Sequence, residues 1–473
     1  MTDSLLDAFG AAVARHPDRT ALVESDGTRV SFRELSDRAN RMAAGWRVRG
    51  VSPGDRLLLA MPLGADLYAA LAAIWSLGAT AVLPEPAMGL DGVRHALKIA
   101  GCKGLVASSP YVWLKLLLPG LWGKPLYRPH ISASGCEPVA VTGEDVALIS
   151  FTSGSTGLPK AIPRSHAFLQ AQRAAVSPLL DSDREETDLV AFPVFVLVNL
   201  AAGRTSVLPN WRMTRLDRVS PPELSAWIAV QGVSRALLPP ALCETLAATD
   251  IPPSLNSVFT GGGPVFPDVV ERLKAAKPDL RIVAVYGSTE AEPIAELDMA
   301  EVTSEDRDAM SSGRGLLAGR PVKAVRVRIV EGEIVVAGAH VNRGYLDPAR
   351  DRETKITEGD TIWHRTGDAG VLDEDGRLWL LGRYGAEVGG LHPFAVETSA
   401  RMWAGVKRAA LANLGGNAVL AIEGDSGKLG VWQDKAGALG IANVRVVPAI
   451  PLDKRHRSKV DYVALGKLLG HGR

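Results

Sequence analysis

The stretch Thr152-Ser153-Gly154-Ser155-Thr156-Gly157-Leu158-Pro159-Lys160 places four hydroxyls, two glycines and one cation within nine residues. Glycines let backbone N–H groups turn toward an anion, hydroxyls surround it and a lysine offsets its charge, so the composition suits a polyphosphate. The apolar run from Val146 to Phe151 just before it reads as a buried strand that delivers the loop from its end. The spacing is not the Walker pattern, because Ala161 follows Lys160 where Ser or Thr would stand and Pro163 opposes an immediate helix. The alternative reading is a mobile Ser/Gly loop without a ligand.

Four later segments also carry chemistry. Thr260-Gly261-Gly262-Gly263-Pro264 follows a predicted strand and lets the backbone approach a flat ligand closely. Tyr286-Gly287-Ser288-Thr289-Glu290 follows the predicted strand Arg281 to Val285 and offers an aromatic face, hydroxyls and a carboxylate in five residues. Trp363-His364-Arg365-Thr366-Gly367-Asp368 leads into a strand, a turn over Asp373-Glu374-Asp375-Gly376, and a second strand that ends at Gly382-Arg383. Near the end of the chain, Pro451-Leu452-Asp453-Lys454-Arg455-His456-Arg457-Ser458-Lys459 is a strongly basic run. Singly, these segments also read as a glycine turn, a capping turn, a surface ion pair and a solvated basic loop.

Taken in this order and at these spacings, the five segments resemble the AMP-forming adenylating superfamily of acyl-CoA synthetases, luciferases and peptide-synthetase adenylation domains. The resemblance spans nearly the whole chain. It implies ATP and Mg²⁺ as cofactors, with Thr152, Ser153, Gly154, Ser155, Thr156, Gly157 and Lys160 on the phosphates and Gly261, Gly262 and Gly263 against the adenine. By the same resemblance Tyr286, with Gly287 and Ser288 beside it, stacks near the adenine and Thr289 contacts the α-phosphate. Glu290 helps hold Mg²⁺, Asp368 takes the ribose hydroxyls, and Arg383 reaches the ribose or phosphate. Lys459, with Thr289 and Glu290, makes up the implied catalytic set, the lysine bridging substrate carboxylate and α-phosphate. The reaction this implies is attack of a carboxylate on the α-phosphorus of ATP, release of pyrophosphate and formation of an acyl-adenylate.

Several positions depart from the common pattern. Ser458 stands where most members have Gly before the lysine, and Pro451 lies eight residues before Lys459 instead of six. The resulting Pro-x-Asp-x-Arg-His-x-x-Lys run resembles the β-lactone synthetases of bacterial long-chain olefin biosynthesis, as do Pro84-Glu85-Pro86-Ala87-Met88-Gly89 and the segment Trp363 to Asp368. Val196 replaces the histidine that many acyl-CoA synthetases carry after the phenylalanine, and Gly385 occupies the hinge position. The resemblance therefore leaves three readings open: a β-lactone synthetase acting on a 3-hydroxy acid, an acyl-CoA synthetase or carrier-protein-loading ligase, and a non-catalytic nucleotide-binding relative. In the first reading His456 is a candidate acceptor for the hydroxyl proton.

The elements that position these residues follow from length and periodicity. A chain of 473 residues exceeds one ordinary core. Strand and helix signals alternate: helices over 4–16 and 31–49, a hairpin about Ser25-Asp26-Gly27, a strand over 56–60, a helix from Leu67 to Leu77 and a strand from Ala79 to Leu83. Such alternation predicts an α/β fold, a large multi-layer N-terminal domain with parallel-rich sheets. The resemblance adds a small mobile α+β C-terminal domain, with the boundary placed between 1–383 and 384–473. With 53 Lys and Arg against 52 Asp and Glu, the charge balance gives no ground for a nucleic-acid partner. Three scattered cysteines, the absence of a secretory pattern and an apolar stretch broken by Pro62, Gly64 and Asp66 predict a cytoplasmic protein with reduced thiols and no transmembrane segment. The Trp- and Leu-rich piece Tyr111 to Trp122 reads as a helix on the core or at the contact of a homodimer, with a lipid-facing surface as the alternative.

Overall fold

Ser4 and Ser31 each accept a hydrogen bond from the N–H three residues on, and Asp7 and Glu34 reach back to the capping N–H. The helices Leu5–Arg15 and Phe32–Val48 start at these two capping boxes. Between them, Thr20–Val23 and Arg29–Ser31 form the expected antiparallel hairpin. The computed structural model describes residues 4–130, 135, 137–152, 159–453 and 457–470.

Among the described residues, two large sheets and their helices make up the large unit. The first sheet has six strands in the order Leu126–Tyr127, Gly104–Ala107, Arg56–Ala60, Thr80–Leu83, Val146–Phe151 and Ala161–Ser165, and only the last pair is antiparallel. The second has fourteen strands. From Thr20–Val23 through Thr205–Val207, Thr187–Val190, Arg235–Leu238 and Ser257–Gly261 to Arg281–Ser288 it is parallel, and beyond that strand it is antiparallel. The parallel halves are buried on both faces, which is why their strands read as unbroken apolar runs. The helix Ala65–Ser76, buried at every position but Asp66, packs against Phe32–Val48 in the core beside the six-stranded sheet. No described helix is long and apolar enough to cross a membrane.

The piece from Tyr111 to Trp122 is not one helix on the core. It forms three short turns, Tyr111–Trp113, Leu114–Leu117 and Pro119–Leu121. Leu114, Leu118 and Leu121 point inward, and Trp113, Leu116, Leu117 and Trp122 stay exposed. Leu118 is extended and Pro119 follows it, which breaks the helical run.

The small unit is α+β: Val406–Leu414 pairs antiparallel with Asn417–Gly424, which pairs parallel with Asn443–Val446, and Pro393–Arg401, Leu429–Ala438 and Tyr462–Gly470 are its helices. Arg401, only 6% exposed, donates Nε to Asp268 Oδ1 at 2.7 Å and Nη2 to Asp268 Oδ2 at 2.9 Å. Arg408 pairs with Glu244, and Phe394 meets Phe266 edge-on at 5.9 Å. These contacts dock the small unit on the helices that flank the glycine turn.

Inside the small unit, the Glu397 carboxylate accepts hydrogen bonds from Leu411 N–H at 2.9 Å and Tyr462 Oη at 2.7 Å. Burial pushes this carboxyl up to about 7 from an ordinary 4.5. The folded state thus holds the proton more tightly than the unfolded chain, and stability falls as pH rises through that window. Glu397→Gln is expected to flatten the decline in melting temperature between about pH 5 and about pH 8. A decline as steep as that of the unmodified protein would contradict the assignment.

Candidate active site

The strand Arg281–Ser288 is where the large sheet changes character, parallel to Ser257–Gly261 on one side and antiparallel to Ala291–Asp298 on the other. In open α/β sheets, ligand crevices lie beyond the carboxyl ends of the strands at switch points of this kind. Both Thr260–Gly263 and Tyr286–Glu290 are there, with Gly261 paired to Val285. The strand runs on through Ser288, so Tyr286, Gly287 and Ser288 lie on the strand end and not on a loop after it. Close packing dictates the glycines: a Cβ on Gly261 would lie 2.4 Å from Val285 O, and one on Gly287 would lie 2.9 Å from Ala291 O.

A Cβ on Gly263 would lie 2.5 Å from Ser458 Cβ. The basic run near the end of the chain therefore rests on the glycine turn. Asp453 closes that run: its Oδ1 accepts from Ser458 N–H at 3.0 Å and Lys459 N–H at 2.9 Å, and its own N–H donates to Lys459 O. A bridge between Leu452 and Val460 continues the closure. Lys454, Arg455 and His456 lie outside the described residues, as do Ser153, Gly154, Ser155, Thr156 and Gly157.

The two ends of the Ser/Gly loop are described. Thr152 N–H donates to Lys160 O at 3.1 Å and Lys160 N–H donates to Thr152 Oγ1 at 3.3 Å, so the loop links the antiparallel strands Val146–Phe151 and Ala161–Ser165. This differs from the strand-to-helix passage of a Walker loop, as Pro163 predicts.

Asp368 joins two other predicted residues. Its Oδ2 accepts from Tyr286 Oη at 2.8 Å and its Oδ1 accepts from Arg383 Nη1 at 2.7 Å. Asp368 and Arg383 face each other across the antiparallel strands Thr361–Leu372 and Leu378–Arg383. Gly367, at φ +70, leaves the space that Arg383 fills, since a Cβ there would lie 2.7 Å from Nη2. Loss of water around the ring and the charge of Asp368 push the Tyr286 phenol well up. Each oxygen of Asp368 has a lone pair left for a further donor. With 62% of the Arg383 side chain exposed, this pair contributes little to stability and its guanidinium is open to a ligand.

Glu290 sits in a set of residues that sequence reasoning missed. Tyr345 Oη donates to Glu290 Oε1 at 3.0 Å, and Asn342 N–H donates to Glu290 O at 2.6 Å. The Nζ atoms of Lys160 and Lys355 each lie 5.2 Å from the centroid of the Tyr345 ring, within cation–π range. Lys355 also donates to Asn342 O, and its Nζ lies 3.1 Å from His364 Nδ1, which is itself 3.2 Å from Thr354 O. Burial lowers the Lys355 ammonium to about 8, and burial with the charge of Lys355 lowers His364 to about 3, so this imidazole is neutral. Arg164, buried, donates Nη2 to Thr289 O at 2.6 Å and thereby fixes the turn that carries Thr289 and Glu290. The partner of Arg164 lies 125 residues away and that of Tyr345 lies 55 away.

Beside the glycine turn lies an apolar pocket. Val176, Leu179, Leu180, Phe192, Phe195, Leu237, Phe259 and Val285 line it, together with Thr260, Gly261, Gly262, Glu292 and Pro293. Val196, next to Phe195, is fully buried in the core.

The carboxylate–arginine pair beside Tyr286 at the switch point fits an AMP-forming ligase that activates carboxylates, and similarity to known proteins shows that class. The chain belongs to the AMP-binding enzyme family, whose profile matches residues 9–346. It is 30% identical to the olefin β-lactone synthetase of Stenotrophomonas maltophilia, over 91% of this chain and 89% of that protein. It is 29% identical to the olefin β-lactone synthetase of Xanthomonas campestris pv. campestris, over 82% of this chain and 78% of that protein. The fold is also that of the o-succinylbenzoate coenzyme A synthetase of Bacillus subtilis in complex with AMP, with a TM-score of 0.79 at 22% identity and 97% of each chain covered.

The contact between Gly263 and Ser458 yields a test. Gly263→Val is expected to displace the lysine loop and lower ATP–pyrophosphate exchange on the order of 100-fold, the scale on which small misplacements act. Because the effect runs through the loop, adding Lys459→Ala to Gly263→Val should lower the rate no further than Lys459→Ala alone. Additive losses would contradict a shared cause.

Proposed function

We propose that this ligase activates a 3-hydroxy acid and closes it to a β-lactone. In the first step a carboxylate oxygen attacks the α-phosphorus of ATP and pyrophosphate leaves. In the second the substrate's own β-hydroxyl oxygen attacks the acyl carbon, the bond from that carbon to the adenylate oxygen breaks, the hydroxyl proton goes to a base or solvent, and AMP leaves. The observation that supports the adenylation chemistry is the packing of Ser458, the residue before Lys459, on Gly263 of the glycine turn. Lys459 is assigned to the charge that develops between carboxylate and α-phosphate, and Thr289 to the α-phosphate. Thr152 to Lys160 is assigned to the leaving pyrophosphate, Asp368 and Arg383 to the ribose, and the glycine turn with Tyr286 to the adenine.

Among the described residues no group of three or more His, Cys, Asp or Glu side chains stands ready for a metal. Mg²⁺ carried in with ATP takes one or two carboxylates and completes its shell from phosphates and water. Glu290 would hold it, and the ion would supply charge neutralisation at the phosphates.

The lactone step is supported by the likeness to the two olefin β-lactone synthetases and by three local features. Val196 is apolar and buried where many thioester-forming relatives have a histidine. Gly385, exposed and at φ +74, replaces a hinge side chain. The lysine loop is closed by Asp453 in its longer form. An internal hydroxyl needs no channel for a second substrate and carries the proximity advantage of a unimolecular step. The assignment divides the chain into 1–383 and 384–473, with rotation about the turn at Gly385. Transfer to CoA or a carrier protein is the competing outcome.

Lys459→Ala is expected to remove nearly all ATP–pyrophosphate exchange while equilibrium ATP binding persists. The unmodified enzyme with ATP, Mg²⁺ and a 3-hydroxy acid is expected to release a product lighter by one water in the absence of CoA. Undiminished exchange in the variant would refute the lysine assignment, and acyl-CoA formed in preference to lactone would refute cyclisation.

A further inference from the structure

Among the described residues that line the apolar pocket, Glu292 is the one acidic residue, and its fellow lining residues include Leu179, Phe192, Phe259 and Val285. A carboxylate in such surroundings is costly unless it is paired and hydrogen-bonded. The buried guanidinium of Arg164, which donates to Thr289 O, lies in a negative field to which Glu292, Glu290 and Glu85 contribute. A pocket meant only for a hydrocarbon chain has no use for this arrangement.

Position decides which part of a ligand meets this carboxylate. Glu292 is the second residue of the strand Ala291–Asp298 and stands two residues beyond Glu290. Two residues span at most about 7 Å, so Glu292 falls within reach of atoms close to the reacting carboxylate, while the remoter chain meets the phenylalanines and leucines. An ionised carboxylate only accepts hydrogen bonds, and each oxygen takes more than one. With the Arg164 guanidinium already in this field, the substrate group that suits Glu292 is a neutral donor and not a second cation.

The geometry points to Glu292 as the residue that recognises the substrate's 3-hydroxyl group, accepting its proton in a hydrogen bond while the apolar wall takes the rest of the acid. This rests on the hydroxy-acid reading above and specifies how the pocket selects its substrate. The hydroxyl oxygen, held by its donated hydrogen, keeps a lone pair free for the acyl carbon.

ATP–pyrophosphate exchange tests the assignment, because it reports adenylation alone and is independent of the second half-reaction. Three acids of one chain length are compared, carrying a hydroxyl, an amino group or no substituent at position 3. The unmodified enzyme should favour the hydroxy acid over the unsubstituted acid by about tenfold or more in kcat/KM, the scale of one hydrogen bond to a charged group. Glu292→Leu should bring that ratio close to one. Glu292→Gln, which keeps the shape and one acceptor oxygen, should give an intermediate ratio, and it decides the matter if melting shows that the leucine variant is not folded. An undiminished ratio in the folded variants, or preference of the unmodified enzyme for the amino or unsubstituted acid, would overturn the assignment. Lactone is assayed in the same samples. An enzyme that discriminates through Glu292 yet forms no lactone would end the cyclisation proposal and leave this one standing, whereas lactone formation with an undiminished ratio would do the reverse.

Discussion

The site depends on a close approach for which only glycine leaves room. With Ser458 Cβ 2.5 Å from where a side chain on Gly263 would begin, any other residue there would push the lysine loop away from the crevice. Two further constraints set the approach. Asp453 ties both ends of the loop together, so Lys459 is presented from a closed turn and not from a loose tail. Arg401, nearly buried between the units and bonded to Asp268, fixes the small unit over the helix that follows the glycine turn. A rotation of the small unit must break that pair, and separating a buried pair costs about 3 to 5 kcal/mol unless each charge finds water or a new partner. The docked arrangement is thereby favoured without being locked.

Within the large unit the electrostatics are arranged in advance of any ligand. Arg164, Lys160 and Lys355 face Glu290 or its turn, and Tyr345 stands between the two lysines with its hydroxyl on Glu290. Groups already held by neighbours need not reorganise when charge develops on a phosphate, and this is the main source of catalysis by charge. Asp368 plays the same part on the other side of the crevice, held between Tyr286 and Arg383. The division of labour is physical: the polar groups lie at the strand ends, where backbone N–H and C=O groups leave the ladder, and the apolar pocket lies among side chains of the core.

Much of this was legible in the sequence, where the signal is local. The helix opening at Ser31, the hairpin at Ser25-Asp26-Gly27 and the alternation of strand and helix are read within a few residues and recur in the structure. Asp368 and Arg383 come together as expected because a short hairpin separates them. The antiparallel half of the large sheet was less legible, since its strands also pair with partners tens of residues away, as Glu333–Ala337 does with Thr361–Leu372. Arg164, Tyr345 and Lys355 went unread for the same reason. Each looks like an ordinary surface residue until a partner tens of residues away is brought beside it. The segment Tyr111 to Trp122 was misread as one helix because its apolar count hides the extended residue Leu118 before Pro119.

The central claim is that a substrate carboxylate attacks the α-phosphorus of ATP and is then released from AMP by the substrate's own hydroxyl. A 3-hydroxy acid labelled with ¹⁸O in both carboxylate oxygens tests it directly by mass spectrometry of the products. The account predicts one labelled oxygen in the phosphate of AMP, none in pyrophosphate, and the other in the carbonyl of a lactone whose ring oxygen is unlabelled. Unlabelled AMP, or label in pyrophosphate, would contradict it.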